Sequence, residues 1–297
     1  MNNKSDSYDE QEITLKNPNL DNLEVDYLYH LGLHSGMDLE KMFGDTKYVC
    51  MGGSADRALV FANKAAEILG IEVPEDGFQP IGKTERFSMY KVGPVVSVNH
   101  GMGIGSIEIL LNEVAKLMAY AKAKGVKFFR LGTSGGIGVE PGTVVITDKA
   151  YNDRLEPYHD KSVCGEVEKR NTELSPELAQ AIFDCREDIS AAIGSTVSAT
   201  GFYEPQGRLD GAIAYHTEEQ KLAWLRKASG MGVKNMEMEA TEFAAFCNEL
   251  GIRSSIICAA LLNRLDGDQV TSTPEELAQF ADNSQQVVLN YIKKDLG

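Results

Sequence analysis

The sequence predicts an α/β sandwich whose central sheet is mixed and mostly parallel. Short runs of β-branched and aromatic residues alternate along the chain with helix-like spacing of apolar residues. Most of these runs are apolar throughout, which is typical of strands buried on both faces of a sheet. The first twenty residues are charged and rich in Asn, and no later linker or internal repeat divides the chain. We therefore predict a flexible N-terminal tail over residues 1–20 and a single domain over residues 21–297.

The predicted strands are short and apolar. They cover residues 48–51, 95–99, 128–131, 144–147, 196–200 and 255–261. Residues 153–172, by contrast, carry many charges and show little periodicity. We expect a surface loop or flap over that segment.

The predicted helices have clearer signals. An apolar stripe with i, i+3, i+4 spacing covers residues 107–118, and a second stripe covers residues 243–250. Ser175, which stands before a proline, is an N-cap signal for a helix that continues to Ile189. A capping box at Thr273, again followed by proline, opens the C-terminal helix.

Charge and cysteine content exclude several classes of function. The chain has 29 Lys and Arg against 44 Asp and Glu, so its formal net charge of −15 repels nucleic acid and anionic membranes. Five scattered cysteines without a CxxC pair predict neither a disulfide framework nor a zinc site. No apolar leader is visible, and the longest apolar run, 256–262, is too short to span a bilayer. We expect a cytoplasmic protein.

Glycines cluster where predicted strands end. Gly53 and Arg57 lie in a segment that follows a strand and opens a helix, so its backbone N–H groups and the guanidinium suit an anion. The alternative is a tight turn with an exposed arginine. Residues 102–106 resemble a dinucleotide fingerprint only loosely, and no GxGxxG follows the first strand, so no Rossmann cofactor site is expected.

An arginine interrupts the predicted strand at residues 128–131. Arg130 is costly to bury unless its charge is paired. Thr133 and Ser134 follow directly, at the carboxyl end of the strand, where open α/β sheets bind ligands. This pattern points to a ligand site, and a core arginine paired with a structural carboxylate is the alternative.

Two polar segments suit a planar base and a sugar. Gln206 and Arg208 offer an amide and a guanidinium that match the edge of a planar base with carbonyls, and a polar loop is the alternative. Glu237 and Glu239 flank Met238, so that two carboxylates suit sugar hydroxyls while the thioether lies along the sugar. The alternative is that these acids favour the dipole of the helix that follows.

One histidine is a site candidate. His30 lies in an apolar context just after the predicted tail. The others, His34, His100, His159 and His216, have no ligand-like spacing, so we expect surface or loop positions for them and no metal site.

These segments together resemble the nucleoside phosphorylases of family I, and among them the uridine phosphorylases of eukaryotes. The resemblance runs from about residue 23 to residue 294, and its motifs agree in order and spacing. They are Gly52-Gly53-Ser54, His100-Gly101-Met102-Gly103-Ile104, Arg130-Leu131-Gly132-Thr133-Ser134-Gly135-Gly136, Phe202-Tyr203 with Gln206 and Arg208, Glu237-Met238-Glu239, and Leu262-Asn263-Arg264. One departure is Gly105, where the family usually has proline before the serine.

The resemblance implies a three-layer α/β/α sandwich around a central mixed β-sheet, and it assigns roles by position. Phosphate would be bound by Gly53, Arg57, Arg86, Arg130 and Thr133. The base would be bound by Phe202, Gln206, Arg208 and Arg264. Ribose would be bound by His30, Thr133, Glu237, Met238 and Glu239. The residues expected to act in catalysis are Arg130, Gln206, Arg208 and Glu239.

The implied activity is phosphorolysis of uridine to uracil and ribose 1-phosphate, with phosphate as co-substrate and without a metal or organic cofactor. Arg264 stands where related purine phosphorylases have an aspartate, and so suits a pyrimidine carbonyl. The family type forms homodimers with shared sites, which would bring Arg86 and His30 into the partner's site. Nucleosidases need no arginine cluster, which argues against that activity. A purine, thymidine or deoxyuridine phosphorylase of the same fold and a non-catalytic nucleoside-binding protein stay open as alternatives.

Overall fold

The structure, a computed structural model, describes residues 8–82 and 84–297. The chain divides into two units, which are described one at a time. The first consists of residues up to 101, 105–129 and 249–253, and the second of residues 102–104, 130–248 and 254–297. The single domain expected over residues 21–297 stays a prediction.

The elements are numbered in chain order. The strands are β1 Tyr27–Leu28, β2 Leu33–His34, β3 Tyr48–Gly52, β4 Met89–Val92, β5 Val95–Asn99, β6 Lys127–Gly136, β7 Val144–Asn152, β8 Tyr158–Val163, β9 Glu166–Asn171, β10 Ala191–Ser198, β11 Val233–Glu237 and β12 Ser254–Asn263. The α-helices are α1 Leu39–Phe43, α2 Ala55–Leu69, α3 Ile104–Tyr120, α4 Pro176–Phe183, α5 Glu218–Gly230, α6 Ala240–Leu250 and α7 Pro274–Leu296. Short 3-10 helices cover Pro18–Asn22 and Glu204–Gln206.

The first unit contains mixed strand pairing next to an amphipathic helix. β3 runs parallel to β5, with Tyr48 opposite Val95 and Gly52 opposite Asn99, whereas β4 runs antiparallel to β5. α2 packs on these strands with an alanine-rich buried face. Because β3 ends at Gly52 and α2 begins at Ala55, the predicted anion-binding turn lies at the carboxyl end of a parallel strand.

The second unit contains strands in the order β11-β10-β7-β12-β6, and β6 pairs again with β11, which closes the ladder. β10 runs parallel to β7 and β11, whereas β12 runs antiparallel to β7, so this sheet is mixed as predicted. α4 packs on β7 and β10, α5 on β11, and α7 on β12. The sheet positions the site residues, because Arg130 lies within β6, β11 ends at Glu237 and Arg264 follows β12.

Most predicted strands are confirmed, and the exceptions are polar. Five of the six predicted ranges lie inside β3, β5, β6, β7 and β12. The sixth, 196–200, is placed too late, because β10 covers Ala191–Ser198. Of the two forms expected over residues 153–172, an irregular loop is wrong, because that segment contains the antiparallel hairpin of β8 and β9, and a flap stays a prediction.

The helix predictions are confirmed at their N-termini. The Ser175 side chain accepts a hydrogen bond from the main-chain N of Leu178, and Thr273 forms the predicted capping box with Glu276. The extension to Ile189 is wrong, because α4 ends at Phe183. Within the described part of the chain, no helix combines the length and the apolar character that crossing a membrane requires.

Part of the predicted tail contacts the first unit. The Tyr8 hydroxyl donates to the carbonyl oxygen of Val126 at 2.7 Å and accepts from the main-chain N of Arg253 at 2.8 Å. The tail prediction for residues 1–7 lies outside the described residues. Flexibility of residues 8–20 stays a prediction.

Candidate active site

In the first unit, the turn after β3 holds Arg57 close to its own backbone. The Ser54 hydroxyl caps α2 and accepts hydrogen bonds from the main-chain N of Arg57 at 3.4 Å and from its Nε at 3.2 Å. Gly53 leaves the necessary room, because a Cβ at this position would lie 3.0 Å from Nη2 of Arg57. The half-buried guanidinium therefore lies on the turn that was predicted to bind an anion.

His30 has a partner within its own unit. Its Nδ1 lies 2.6 Å from Oε1 of Glu113, and the main-chain N atoms of His30 and Leu31 each donate to Oε2 of Glu113 at 2.9 Å. No residue near His30 along the chain indicates such a partner. Glu113 is buried on the apolar face of α3, and an acid within that predicted stripe is the signal that would have found it.

Arg86 lies in the segment beside His30. The Thr84 hydroxyl donates to the carbonyl oxygen of His30 at 2.8 Å, and the Phe87 ring lies 6.2 Å from the His30 ring. Arg86 itself is exposed, as is Tyr29. The first unit thus presents the two residues expected in a partner's site from neighbouring segments.

In the second unit, Arg130 is buried and paired with two carboxylates. Its Nη2 lies 2.8 Å from Oε2 of Glu237 and also donates to Oε2 of Glu239. Its Nη1 donates to the Cys258 sulfur at 2.9 Å. Its Nε is buried and has no acceptor among the residues that the structure describes. The pairing expected of a core arginine is present, and one donor is left over.

The charges of this cluster perturb one another. Burial raises the pKa of Glu237 to about 7, and the charge of Glu239 acts in the same direction, whereas Arg130 opposes both. Burial acts to lower the pKa of Arg130, but Glu237, Cys258 and Glu239 together raise it above its ordinary value. Arg130 and the two glutamates, when ionised, carry one net negative charge away from water.

The two glutamates differ in what else they bind. The Glu237 carboxylate accepts hydrogen bonds from the main-chain N atoms of Glu239 at 3.0 Å and Ala240 at 2.8 Å, so it caps α6. Glu239 Oε1 accepts from the main-chain N of Gly103 at 2.5 Å. The Met238 thioether lies beside Gly103, since its Cε is 3.8 Å from where a Cβ would stand. Glu237 is therefore held on both oxygens, as a capping residue is.

Gln206 is buried against Arg264. Arg264 donates through Nη2 to the main-chain oxygen of Gln206 at 2.9 Å and through Nη1 to Oε1 of its amide at 3.4 Å. The Arg264 side chain is fully buried, and Nη1 also contacts the Met236 sulfur at 2.9 Å. Gly135 makes this approach possible, because a Cβ there would lie 2.9 Å from Cγ of Arg264.

Arg208 is bound on one side and stacked on the other. Its Nε and Nη2 donate to the two carboxylate oxygens of Asp210 at 2.8 and 2.5 Å, and its guanidinium lies 4.5 Å from the centre of the Phe202 ring. The Arg208 hydrogen bond lowers the pKa of Asp210, which keeps this pair ionised. Phe202 is exposed, and its ring meets that of Tyr203 edge to face.

Within each unit, the structure brings together most of the residues that were predicted to share a role. Gly53 lies with Arg57, and the segments of His30 and Arg86 adjoin. In the second unit, the residues that contact one another form three groups: Arg130 with Glu237 and Glu239, Gln206 with Arg264, and Phe202 with Arg208. Thr133 is half-buried in β6, three residues after Arg130. The binding roles of all these residues stay predictions.

Two of the histidines expected at surface or loop positions are buried, and the expectation is wrong for His159, which lies in β8, whereas His100 follows β5 in a loop. His100 and His159 are 2% and 5% exposed. His159 Nε2 lies 2.7 Å from Glu242 Oε2, and its Nδ1 lies 3.1 Å from the Thr241 hydroxyl. His159 therefore joins β8 to α6.

Three further residues around the candidate site were not found from the sequence. Cys258 accepts from Arg130, whereas Asp268 and Lys221 form an ion pair at 2.7 Å beside Arg264. Burial raises the pKa of Cys258 to about 11, so it is a thiol at neutral pH.

Comparison with known proteins gives one consistent result. The chain matches the family model described as "Phosphorylase superfamily" over residues 47–293. "Uridine phosphorylase 1" of Mus musculus is 42% identical over 290 residues, which cover 96% of this chain and 93% of the mouse protein.

The solved structures agree. A uridine phosphorylase of the oomycete Phytophthora capsici is 44% identical, with a TM-score of 0.92 over 96% of this chain and 98% of that one. A uridine phosphorylase of Schistosoma mansoni in complex with thymidine is 39% identical, with a TM-score of 0.91 over 96% of this chain and 99% of that one. These similarities confirm the predicted α/β/α fold around a mixed sheet.

Proposed function

The chain belongs to the phosphorylase superfamily, and on this premise we propose that it cleaves uridine with inorganic phosphate to give uracil and ribose 1-phosphate. The observation that carries the proposal is a separation of charge in the second unit. Arg130 with Glu237 and Glu239 has one net negative charge when both carboxylates are ionised. Arg208, Arg264 and Lys221 exceed Asp210 and Asp268 by one positive charge. The first group suits a cationic sugar, and the second suits an anionic leaving base.

The reaction develops those two charges. A phosphate oxygen bonds to C1′ of ribose while the bond from C1′ to the base nitrogen breaks, and the sugar passes through an oxocarbenium-like state. The electron pair leaves with uracil and spreads over its carbonyl oxygens. Gln206 and Arg208 would donate hydrogen bonds where this charge grows, so that they bind the transition state more tightly than the substrate.

The ribose would be bound by the carboxylate group of the site. Glu239 would accept hydrogen bonds from ribose hydroxyls, and Met238 would lie along the sugar. Glu237, which is held by Arg130 and by the start of α6, would act mainly by fixing Glu239 and by its charge. A carboxylate pair away from water favours an oxocarbenium-like sugar, because the positive charge relieves the repulsion between the two.

The proposed phosphate ligands are Gly53 and Arg57 in the first unit, and Arg130 and Thr133 in the second. The buried Nε of Arg130 supports this role, because a buried donor normally has a partner and this one has none among the described residues. The turn at Gly53 supports it as well, since it offers N–H groups and a guanidinium together. Phosphate is the co-substrate in this proposal, and neither a metal nor an organic cofactor takes part.

We also propose that the active unit is a homodimer in which His30 and Arg86 reach the partner's site. The exposed Arg86 and the neighbouring, partly exposed His30 support this arrangement, because both are then available to a second chain. Arg86 would complete the phosphate site, and His30 would meet the 5′-hydroxyl of ribose. Glu113 would hold the His30 ring in position.

The test is an assay of uracil release from uridine with and without phosphate. We expect release to depend on phosphate and ribose 1-phosphate to form in equal amount. Thymidine and inosine, assayed in parallel, separate a broader pyrimidine activity from a purine activity. Uracil release at the same rate without phosphate would contradict the proposal, and so would binding of uridine without turnover in either buffer.

A further inference from the structure

The orientation of the Gln206 amide follows from the chemistry of Arg264. A guanidinium has donors only, so the amide group that faces it must be the oxygen. Arg264 binds both the main-chain oxygen and the side-chain oxygen of Gln206, at 2.9 and 3.4 Å. The amide NH₂ is therefore turned away from Arg264. Arg264 is fixed in turn, because its own main-chain N donates to Gly136 at 2.8 Å.

Asp268 holds the Arg264 side chain in place. Its Oδ1 lies 3.1 Å from Nε and 2.9 Å from Nη2 of Arg264, and Lys221 Nζ lies 2.7 Å from the same oxygen. Its Oδ2 accepts from the main-chain N of Leu209 at 3.0 Å, and its main-chain oxygen accepts from Arg208 at 2.9 Å. One aspartate thus joins α5, Arg264 and the segment that carries Gln206 and Arg208.

The electrostatics of Arg264 depend on this aspartate. Burial lowers the pKa of Arg264, and the charge of Arg208 lowers it further, whereas Asp268 opposes both. Burial acts against ionisation of Asp268 as well, but hydrogen bonds from Leu209 and Lys221 and the charge of Arg264 lower its pKa below the usual value. Without the aspartate, three cations would lie together with only Asp210 to balance them.

A fixed amide distinguishes pyrimidine bases that have the same shape. The uracil edge presents an N–H donor between two carbonyl acceptors, whereas cytosine presents a bare ring nitrogen and an amino group. An amide whose oxygen and NH₂ are held in one order pairs with only one of these patterns, and the other leaves buried polar groups unpaired. An amide that is free to turn over presents either order.

We propose that Asp268 and Lys221 are positioning residues that fix the Gln206 amide through Arg264 and thereby set the choice of uracil over cytosine. Neither residue touches the base. The inference rests on the proposed function, since it concerns the same site and names what decides its substrate.

The test compares Asp268→Asn with Asp266→Asn. Both changes remove one carboxylate from the same segment without changing size, but Asp266 is exposed and contacts Asn263 rather than Arg264. The measurement is kcat/KM for uridine and for cytidine at saturating phosphate. We expect the uridine-to-cytidine ratio of Asp268→Asn to fall roughly tenfold or more, mainly through KM, because a buried charged hydrogen bond is lost. The ratio of Asp266→Asn should equal that of the wild type.

A second variant, Lys221→Met, tests the same inference if Asp268→Asn does not fold. It keeps the aliphatic stem of Lys221 and removes only the charge, and we expect a smaller fall of the ratio in the same direction. Equilibrium binding of uracil and cytosine, measured by calorimetry on both variants, gives the same comparison without turnover. If both variants fold and neither ratio changes, the inference is overturned.

The failure of this inference is distinct from failure of the proposed function. Phosphate-dependent cleavage of uridine by the wild type, with an unchanged base ratio in the variants, removes the positioning role alone. Release of uracil from uridine without phosphate by the wild type removes both.

Discussion

At the scale of single residues, the carboxylate of Glu237 is the group whose ionisation depends most on the fold. Burial raises its pKa to about 7, from an ordinary value of 4.5. A group whose pKa is raised on folding stabilises the protein below its unfolded value, and this contribution is lost as the pH rises through the folded value.

We therefore expect the wild type to lose stability relative to Glu237→Gln as the pH rises from about 4.5 to about 7. The slopes of unfolding free energy against pH should differ between the two proteins by up to about 1.4 kcal/mol per pH unit, the value for a single proton. Urea denaturation of both proteins across this range measures it. Parallel curves would mean that Glu237 is ionised throughout, held by Arg130 and by the α6 N-terminus.

The amide of Gln206 leads to a second prediction at this scale. Gln206→Leu should lose on the order of 10²-fold or more in kcat/KM for uridine, because about 3 kcal/mol is lost when buried polar groups are left unpaired. Gln279→Leu is the matched control, since that glutamine is exposed on α7 and its amide donates to Asn283. Near-normal efficiency of Gln206→Leu would show that the amide does not contact the base.

Most residues of the candidate site could be predicted from the sequence, but their partners could not. Arg130 stood out because a charge inside an apolar strand demands compensation. The identity of its partners depends on a strand more than a hundred residues away, and Glu237 ends that strand. Glu113 is marked by its place inside an apolar helical stripe, but that place does not identify its partner. Nothing local distinguishes Asp268 from an acid that faces water.

At the scale of elements, the hairpin of β8 and β9 is attached to α6 through the buried carboxylate of Glu242. Glu242 Oε1 lies 3.0 Å from Lys161 Nζ, and its Oε2 lies 2.7 Å from His159 Nε2. Burial acts against ionisation of Glu242, but His159 and Lys161 lower its pKa below the ordinary value. Removing one partner of a buried ion pair costs far more stability than removing one partner of an exposed pair.

We expect Glu242→Gln to reduce the free energy of unfolding by about 3 kcal/mol or more, because it removes the buried carboxylate that pairs with Lys161 and His159. In the Glu242→Gln variant, amide exchange with deuterium should accelerate more in the β8–β9 hairpin than in α7. Glu166→Gln on the same hairpin removes an exposed carboxylate that lies opposite Val163 and should change stability by less than about 1 kcal/mol. Equal effects of the two variants would show that the hairpin is held by other contacts.

This hairpin also explains why some strands could not be predicted. Across its two strands, Lys161 faces Glu168 and Asp160 faces Lys169, so opposite charges stabilise the register where apolar residues usually do. Neither face is apolar, and no alternation of apolar and polar residues marks the strands. β11 is similar, since it contains Lys234, Asn235 and Glu237. The buried apolar strands and the capped helices, by contrast, could be predicted from their own residues.

At the scale of the whole molecule, the proposed shared site makes mixed dimers informative. An Arg86→Ala chain and an Arg130→Ala chain should each be weak alone. A mixed dimer would contain one site with both changes and one with neither. After subunit exchange at equal amounts, about a quarter of the wild-type activity should return, because half of the dimers are mixed and half of their sites intact.

Arg57→Ala mixed with Arg130→Ala is the control for this experiment. Both changes fall on the same chain's contribution to the proposed site, so no mixed dimer has an intact site and no activity should return. Native mass spectrometry confirms that exchange has taken place. Recovery in the control, or none in the Arg86 experiment, would refute the shared arrangement.

The bonding of Arg130 has a consequence for how the two substrates meet. One guanidinium serves Glu237 and Glu239, and under the proposed function it also receives phosphate. Ribose hydroxyls that donate hydrogen bonds to Glu239 weaken the interaction of that carboxylate with Arg130. The guanidinium then becomes a stronger hydrogen-bond donor to phosphate. Thermodynamic reciprocity then requires phosphate to tighten nucleoside binding by the same factor. At low phosphate concentration the protein would therefore bind nucleoside more weakly. Salvage of the base would then depend on the concentrations of both reactants together.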